Sequence, residues 1–260
     1  MKTARLALGY LRHNLMSAMA YRGAFLLQVF GMILNDAMLL FFWWVLFDQL
    51  PSLRGWNLTQ VMILYGVVAF GFGLATVVCG NAFQVARIVV RGELDYYLAL
   101  PAEPLTHLLV SRMSLPAWGD VFFGLLVFLV AAPERWTSLP LFLLLGLIAA
   151  LIFVSFSVLV GSLAFWLGNA DSLAGQAINA VLTFSLYPAE IFPGTVRWVL
   201  YTLIPAALVG SLPAALLSAF HWGRLAALLA FTAIIALAAW GVFRLGLRRY
   251  ESGNLVIIRG

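Results

Sequence analysis

The sequence predicts an all-α membrane protein, and its composition and its long apolar runs are the observations that predict it. The chain of 260 residues is 64% hydrophobic and only 10% charged, whereas a soluble domain is about 45–50% apolar and about 25% charged. Intrinsic disorder is excluded because it requires low hydrophobicity and high charge. The apolar residues also form runs of helix long enough to cross a bilayer core, for which about 20 residues suffice.

The first predicted element is an interfacial amphipathic helix over residues 1–22. On a helical projection, one arc is apolar and the opposite arc is basic. The apolar arc consists of Ala4, Ala7, Leu8, Leu11, Leu15, Ala18 and Met19. The basic arc consists of Lys2, Arg5, Arg12 and His13. We therefore expect this helix to lie along the membrane surface, with the apolar arc towards the acyl chains.

Six transmembrane helices are predicted to follow. They cover residues 23–48, 59–85, 108–132, 140–168, 173–190 and 223–246. The fifth is short over 173–187 and reaches full length only if it extends to Glu190. Before the sixth, residues 188–213 contain Pro188, Pro193, Pro205 and Pro213. Since proline interrupts helices, we expect a broken segment there that enters the outer half of the membrane and returns.

The basic residues predict the orientation of these spans. With six spans and both termini inside, eleven basic residues lie on the cytoplasmic side: Lys2, Arg5, Arg12, Arg22, Arg87, Arg91, Arg112, Arg244, Arg248, Arg249 and Arg259. Four lie outside: Arg54, Arg135, Arg197 and Arg224. Because cytoplasmic loops carry an excess of Lys and Arg, both termini are predicted to be cytoplasmic.

The cytoplasmic connection over residues 86–107 is unusually long and charged. Within it, residues 91–101 predict a short helix, in which Gly92 allows a turn and Pro101 ends the helix. Leu94, Tyr97 and Leu98 are spaced to share one face of that helix, and Glu93 and Asp95 flank them. An apolar, aromatic face edged by acids suits docking into a groove on a partner protein. A surface helix that packs on this chain's own spans is the alternative.

A few polar residues lie at membrane depth, where an ionisable group is costly and is a functional hypothesis by default. The candidate substrate-pathway residues are Asn35, Asp36, Asp120 and Glu190. Asp36 and Asp120 could pair with arginines on neighbouring helices, attract a cationic substrate or relay protons. Glu190 is expected at the outer interface, where it would help to shape the broken segment.

Three motifs in this order resemble the ABC-2 type permeases of ATP-binding-cassette exporters, in particular a branch of short, six-span bacterial permeases. The first is the run Arg91-Gly92-Glu93-Leu94-Asp95, followed by Pro101. The second is the proline-broken stretch from Tyr187 to Pro213, and the third is the tail Tyr250-Glu251-Ser252-Gly253-Asn254. The resemblance extends over essentially the whole chain.

This resemblance implies one transmembrane permease domain over residues 1–260 in a bacterial cytoplasmic membrane. It also implies two partner ATPase subunits, which carry ATP and Mg²⁺, and a second permease chain, identical or paralogous. The implied function is export by alternating access of a substrate that the resemblance does not identify, with a hydrophobic or a cationic compound as the candidates. The implied ATPase-coupling residues are Arg91, Glu93, Leu94, Asp95, Tyr97 and Leu98. No cofactor, metal ion or nucleic acid is expected to bind this chain itself.

Other functional classes fit the sequence less well. A P-loop needs a lysine after its glycine-rich turn, and the sequence contains a single lysine, Lys2. The three histidines are scattered and form no catalytic or metal-binding motif, so an enzyme is not expected. An ion-coupled secondary transporter that uses Asp36 and Asp120 stays open as an alternative, although such folds usually contain internal repeats and none is evident here.

Overall fold

The computed structural model describes residues 2–100, 103–132, 137–168 and 170–251, with the backbone alone at residues 2–7 and 11, and these residues are almost entirely helical. The α-helices are α1 Lys2–Ala20, α2 Arg22–Gln49, α3 Leu58–Cys79, α4 Val85–Val90, α5 Leu94–Leu98, α6 Pro104–Val110, α7 Trp118–Ala131, α8 Leu139–Gly161, α9 Ala164–Leu167, α10 Asp171–Ser185, α11 Gly194–Thr202, α12 Ala206–Val209, α13 Ser211–Ser218 and α14 Trp222–Leu247. Short 3₁₀ helices cover Gly80–Gln84 and Ala189–Ile191.

The described residues contain four helical stretches that are long and apolar enough to cross a membrane. They are Arg22–Gln49, Leu58–Val90, Leu139–Leu167 and Trp222–Leu247. A bent pair, Gly194–Thr202 with Ala206–Ser218, passes the same test if it is counted as one broken span. The prediction of a multi-pass helical membrane protein is therefore confirmed, whereas the count of six spans stays a prediction.

Helix α3 is the centre of the bundle. It is buried on all sides, from Val61 to Val77, and it packs against α7, α8 and α13. Its approach to α7 is close because glycines face each other there: a Cβ atom at Gly124 would lie only 2.5 Å from the carbonyl oxygen of Gly66 and from the backbone nitrogen of Phe70. In a membrane, helices are not driven together by the hydrophobic effect, and small residues at such a crossing let the two backbones pack tightly instead.

The third predicted span, 108–132, is wrong at its beginning. Helix α6 ends at Val110, and the chain becomes helical again only at Trp118, so that α7 has 14 residues. Pro116 cannot donate a hydrogen bond inside a helix. In the intervening stretch, the Arg112 carbonyl instead accepts a hydrogen bond from the Gly80 backbone N–H (3.0 Å), and the Ser114 N–H donates to the Thr76 carbonyl (3.1 Å). These backbone groups are thus satisfied by the end of α3.

The proline-rich segment before α14 is interrupted, and its two helical parts meet at an angle of 67°. Pro193 precedes α11, and Pro205 lies at the bend between α11 and α12. The expectation that Pro213 also breaks the chain is wrong, because Pro213 lies in the first turn of α13. The first turn of a helix tolerates proline because its N–H groups have no intrahelical partner.

Helix α1 contacts α2 and α6. Ala18 is buried, whereas Leu8, Met16 and Met19 are exposed. These exposed apolar side chains, with Leu15 and Arg12, line one surface of the helix. The predicted apolar arc also includes positions at residues 2–7 and 11, whose side chains lie outside the described part of the chain.

Candidate functional site

The segment between α4 and α6 turns sharply at Gly92, whose φ of 71° lies in the left-handed region. There the Gly92 N–H donates to the Val89 carbonyl and the Glu93 N–H to the Ile88 carbonyl, at 3.2 and 3.0 Å. This pair of hydrogen bonds is the Schellman arrangement that ends a helix, and it favours glycine at the turn. Helix α5 then covers only Leu94–Leu98, shorter than the predicted 91–101. Pro101 lies outside the described residues.

The predicted coupling residues differ in their exposure, and two of them, Asp95 and Tyr97, are half-buried. Arg91, Glu93 and Leu98 are exposed, and Leu98 is 42% accessible. Leu94 is 0% accessible and packs within this chain, so the expectation that it shares an exposed face with Leu98 is not met. Sequence periodicity places residues on a face but does not say what covers that face. Tyr96, which the sequence reasoning missed, is 62% accessible.

Leu94 belongs to a separate apolar cluster at this end of the bundle. The cluster joins α4, α5, α6, α8 and α14 through Val85, Leu94, Leu108, Val158 and Phe243. A single side chain of α5 is therefore packed against the ends of several membrane helices. Movement of α5 must be accompanied by movement or repacking of those ends, since protein interiors are close-packed.

Tyr97 is held against the end of α3 by hydrogen bonds. The buried Asn81 amide Nδ2 lies 3.2 Å from Tyr97 Oη and 2.8 Å from Ser111 Oγ, and it donates to the Leu108 carbonyl at 3.1 Å. Tyr97 Oη and Ser111 Oγ also form a hydrogen bond of 3.1 Å. Asn81 and Ser111 are separated by 30 residues, and no local sequence signal joins them to Tyr97.

An aromatic cluster joins α1 to this segment. The hydroxyl of Tyr10 is hydrogen bonded to Nε2 of the buried His107, and the rings of Tyr96 and Tyr97 lie 6.4 and 5.5 Å from the His107 ring. Burial, and then the electrostatic effect of Tyr96 and Tyr97, raise the pKa of Tyr10 above its ordinary value. The N-terminal helix is thus fixed to the residues that flank α5.

The chain just after α14 also reaches α5. The Tyr250 ring lies 6.1 Å from the Phe165 ring in an edge-to-face arrangement. Burial raises the pKa of Tyr250 to about 12, and the negative charge of the nearby Asp95 acts in the same direction. The tail residues Ser252, Gly253 and Asn254 lie outside the described part of the chain.

The two predicted intramembrane acids lie together. Asp36 on α2 and Asp120 on α7 are both buried, and their side chains lie close to each other. Tyr65 Oη on α3 donates to Asp36 Oδ1 at 3.2 Å, and the mostly exposed Asn35 adjoins Asp36. Among the described residues, neither acid forms an ion pair with an arginine. The acids therefore lie next to each other without a neutralising arginine, and Asp36 Oδ2 has no hydrogen-bond partner among the described residues.

Glu190 lies at the other end of the bundle, away from α5. Its Oε2 accepts a hydrogen bond of 2.9 Å from Trp56 Nε1, in the loop before α3, and its Oε1 forms an ion pair of 3.2 Å with Arg197 on α11. We call Trp56, Glu190 and Arg197 the outer cluster. It joins the loop between α2 and α3 to the broken segment before α14.

A partly open cavity of about 700 Å³ lies at the end of the bundle that carries α4 and α5. Its walls come from α2, α3, α4, α10 and the irregular stretch before α7. Arg87 and Arg112 lie in the wall, as do the amides Gln28, Gln84 and Asn179. The sequence reasoning missed this cavity because its wall is assembled from distant segments and from a stretch predicted to be helical.

Comparison with known proteins identifies the family. A family model described as ABC-2 family transporter protein matches residues 33–253, from within α2 to just after α14. No curated protein gives a significant match. The matched range covers the membrane helices, the segment around α5 and the broken segment, and the resemblance noted from the sequence is confirmed. The chain therefore belongs to the ABC-2 family of transporter proteins and is a transmembrane permease of an ABC transporter.

Proposed function

We propose that this chain is the permease subunit of an ATP-driven exporter in a bacterial cytoplasmic membrane, with six spans and both termini inside. Two such chains, identical or paralogous, would combine with two ATPase subunits, which hold ATP and Mg²⁺. Family membership supports the permease role. The excess of arginines on the side that carries α4 and α5 supports the orientation with both termini inside. The exposed apolar side chains of α1 fit a helix that lies at the membrane interface.

The observation that carries the proposal is the surface formed by Arg91, Glu93, Tyr96 and Leu98, which we call the coupling surface. All four side chains are exposed, while the buried Leu94 and the half-buried Tyr97 tie α5 to the ends of α3, α6 and α14. An exposed charged and aromatic surface on such a support suits a partner that moves. In this proposal the ATPase binds the coupling surface, and Leu94, Asp95 and Tyr97 transmit its movement to the spans.

The substrate pathway in this proposal runs from the cytoplasmic side past α3 towards the outer cluster. Asn35, Asp36 and Asp120 would lie beside it at mid-membrane depth, and Glu190 would help to close its outer end. The outer cluster supports this assignment because it joins two segments, the loop before α3 and α11, that must separate if the bundle opens outwards between them.

Co-purification with the ATPase subunit tests the coupling surface. We expect Glu93→Arg with Leu98→Ala to abolish capture of the ATPase while the permease stays in the membrane, since a reversed charge and a lost apolar contact remove the surface but not its support. The matched control is Asp48→Arg with Leu50→Ala. It makes the same kinds of change at exposed positions near the C-terminal end of α2, away from the coupling surface. This control should capture the ATPase normally.

A second comparison separates binding from folding. Leu94→Ala should destabilise the permease by about 2–5 kcal/mol because it leaves a cavity in a packed cluster, whereas Leu98→Ala should leave the unfolding midpoint unchanged. Normal ATPase capture and export by the Glu93→Arg, Leu98→Ala permease would contradict the proposal.

The adjacency of Asp36 and Asp120 favours one alternative, an ion-coupled secondary transporter. Two neighbouring buried carboxyl groups can share a proton, which is a property of proton-relay sites. Ion-driven transport into liposomes by this chain alone, lost on Asp36→Asn, would support that alternative and would contradict the ATP-driven exporter.

A further inference from the structure

The cavity beside α4 has a wall of one charge sign. Arg87 and Arg112 both contribute to it, and the described residues that line it include no aspartate or glutamate. Gln28, Gln84 and Asn179 add amide donors, and Ser114 adds a hydroxyl. Two guanidinium groups that share a cavity without a neutralising carboxylate attract an anion. Arginine binds phosphate and carboxylate groups through bidentate hydrogen bonds.

One donor of the Arg87 side chain has no partner in the described protein around it. Its Nε atom is buried and forms no hydrogen bond to any described residue, and no carboxylate of the described residues forms an ion pair with Arg87 or Arg112. A buried, unpaired polar atom costs free energy, and this cost is removed if a ligand supplies the acceptor. The position of the side chain in the cavity wall makes such a ligand accessible.

Most of the other side chains in the wall are apolar. Phe72 and Phe83 contribute aromatic rings, and Met113, Leu115, Ile178 and Leu182 contribute aliphatic side chains. With a volume of about 700 Å³, the cavity is in the range of sites for molecules larger than a single inorganic ion. Cationic and apolar walls in one cavity match a molecule with an anionic head and a hydrocarbon body.

We infer that this cavity binds an anionic amphiphile, with its phosphate or carboxylate head between Arg87 and Arg112 and its apolar body against Phe72, Phe83 and Leu182. The role of this molecule as the transported substrate rests on the proposed function, whereas its binding does not. The buried acids Asp36 and Asp120, which are compatible with a cation, are not part of the cavity wall. Because the charged side chains in the cavity wall are arginines, the cavity is assigned an anionic ligand rather than a cationic one.

Native mass spectrometry of the purified full-length chain, titrated with defined probes, tests this assignment. The probes are dioleoyl phosphatidic acid, dioleoylglycerol, which has the same acyl chains without the phosphate, and inorganic phosphate. We expect phosphatidic acid to bind at least about tenfold more tightly than either of the others, because only it provides both charge-assisted hydrogen bonds and apolar contact. Equal binding of the two lipids would overturn the assignment of an anionic head. Phosphate binding as tight as that of the lipid would overturn the assignment of an amphiphile in favour of a free anion.

Variants locate the binding. Arg87→Gln with Arg112→Gln should weaken phosphatidic acid binding about tenfold or more and should leave dioleoylglycerol binding unchanged. Arg87→Lys with Arg112→Lys keeps both charges and should restore most of the affinity. Arg224→Gln with Arg248→Gln removes the same charge at exposed positions outside the cavity wall and serves as the matched control.

The outcomes distinguish this inference from the proposed function. If the Gln variant keeps full affinity, the cavity assignment is wrong, and Arg112→Gln alone, at an exposed side chain, repeats the test with little risk to folding. A chain that captures its ATPase but does not prefer phosphatidic acid would overturn the ligand class alone. A chain that binds phosphatidic acid through Arg87 and Arg112 but captures no ATPase would overturn only the proposed function.

Discussion

Tyr250 illustrates how single residues connect the chain end after α14 to α5. Burial and the nearby Asp95 raise its pKa to about 12 from an ordinary value of 10.0. The folded protein therefore holds this phenolic proton more tightly than the unfolded chain does. The contribution to stability is fully present below pH 10 and is lost as the pH rises towards 12.

Absorbance titration of tyrosinate measures this effect. The difference between the wild-type curve and the Tyr250→Phe curve should place one tyrosine near pH 12, and Asp95→Asn should move that tyrosine to lower pH because one cause of the shift is removed. Burial, the larger cause, remains in this variant, so the pKa should stay above 10. The control is Asp48→Asn, which changes an exposed acid near the C-terminal end of α2. An identical shift in this control would contradict the assignment to Asp95.

Residue-scale prediction from the sequence succeeds for conformation and fails for partners. Gly92 was identified as a turn residue because glycine alone adopts a positive φ without cost, and the structure has that conformation. By contrast, the spacing of Leu94, Tyr97 and Leu98 did not separate the buried leucine from the exposed one. The residues that cover Leu94, such as Leu108 and Phe243, come from distant parts of the sequence.

At the level of elements, the close crossing of α3 and α7 sets the packing of the bundle. Backbone atoms rather than flexible side chains face Gly124, so the crossing cannot widen locally. Any added side-chain atom at this position must push the two helices apart along their length.

Gly124→Ala should therefore lower the unfolding midpoint in detergent, with a cost of about 1–3 kcal/mol for forced overpacking. Gly241→Ala on α14 is the matched control, because no atom lies within 4 Å of the Cβ position at Gly241. There alanine should be neutral or stabilising, since glycine inside a helix costs about 0.5–1 kcal/mol relative to alanine. An unchanged midpoint for Gly124→Ala would mean that the crossing is looser than described.

Elements were predicted well where a long apolar run stands alone and less well where one run holds several elements. The runs that became α2 and α14 agree with the structure to within one residue at each end. The run over residues 108–132 was predicted as one span because apolar residues lie on both sides of the irregular stretch before α7, although Arg112, Ser114 and Pro116 interrupt the apolar pattern there. The prolines identified the broken segment, but the sequence did not show which of them interrupt a helix. Pro213 does not, because it occupies a tolerated position in the first turn of α13.

For the molecule as a whole, the distribution of charge predicts a polarity across the membrane. The coupling surface and the cavity lie at one end of the bundle, and the outer cluster lies at the other. If the first end is cytoplasmic, as the excess of arginines indicates, then Tyr96 and Trp198, exposed at opposite ends, must differ in their access to reagents.

A membrane-impermeant maleimide tests this orientation. The chain has a single cysteine, Cys79, which is replaced with serine so that one new cysteine can be labelled at a time. Trp198→Cys should react in right-side-out vesicles, and Tyr96→Cys should react only in inside-out vesicles or after permeabilisation. The reverse pattern would show that the termini are outside and would remove the coupling surface from reach of a cytoplasmic ATPase.

The outer cluster places a constraint on how this protein changes during evolution. Glu190 accepts hydrogen bonds from both Trp56 Nε1 and Arg197 Nη2, and Trp56 is only 8% accessible to solvent. Replacement of Glu190 would leave an indole nitrogen with little water to compensate it and an arginine without its counter-charge. Positions 56, 190 and 197, although 134 residues separate the first two, are therefore expected to be inherited together or replaced together.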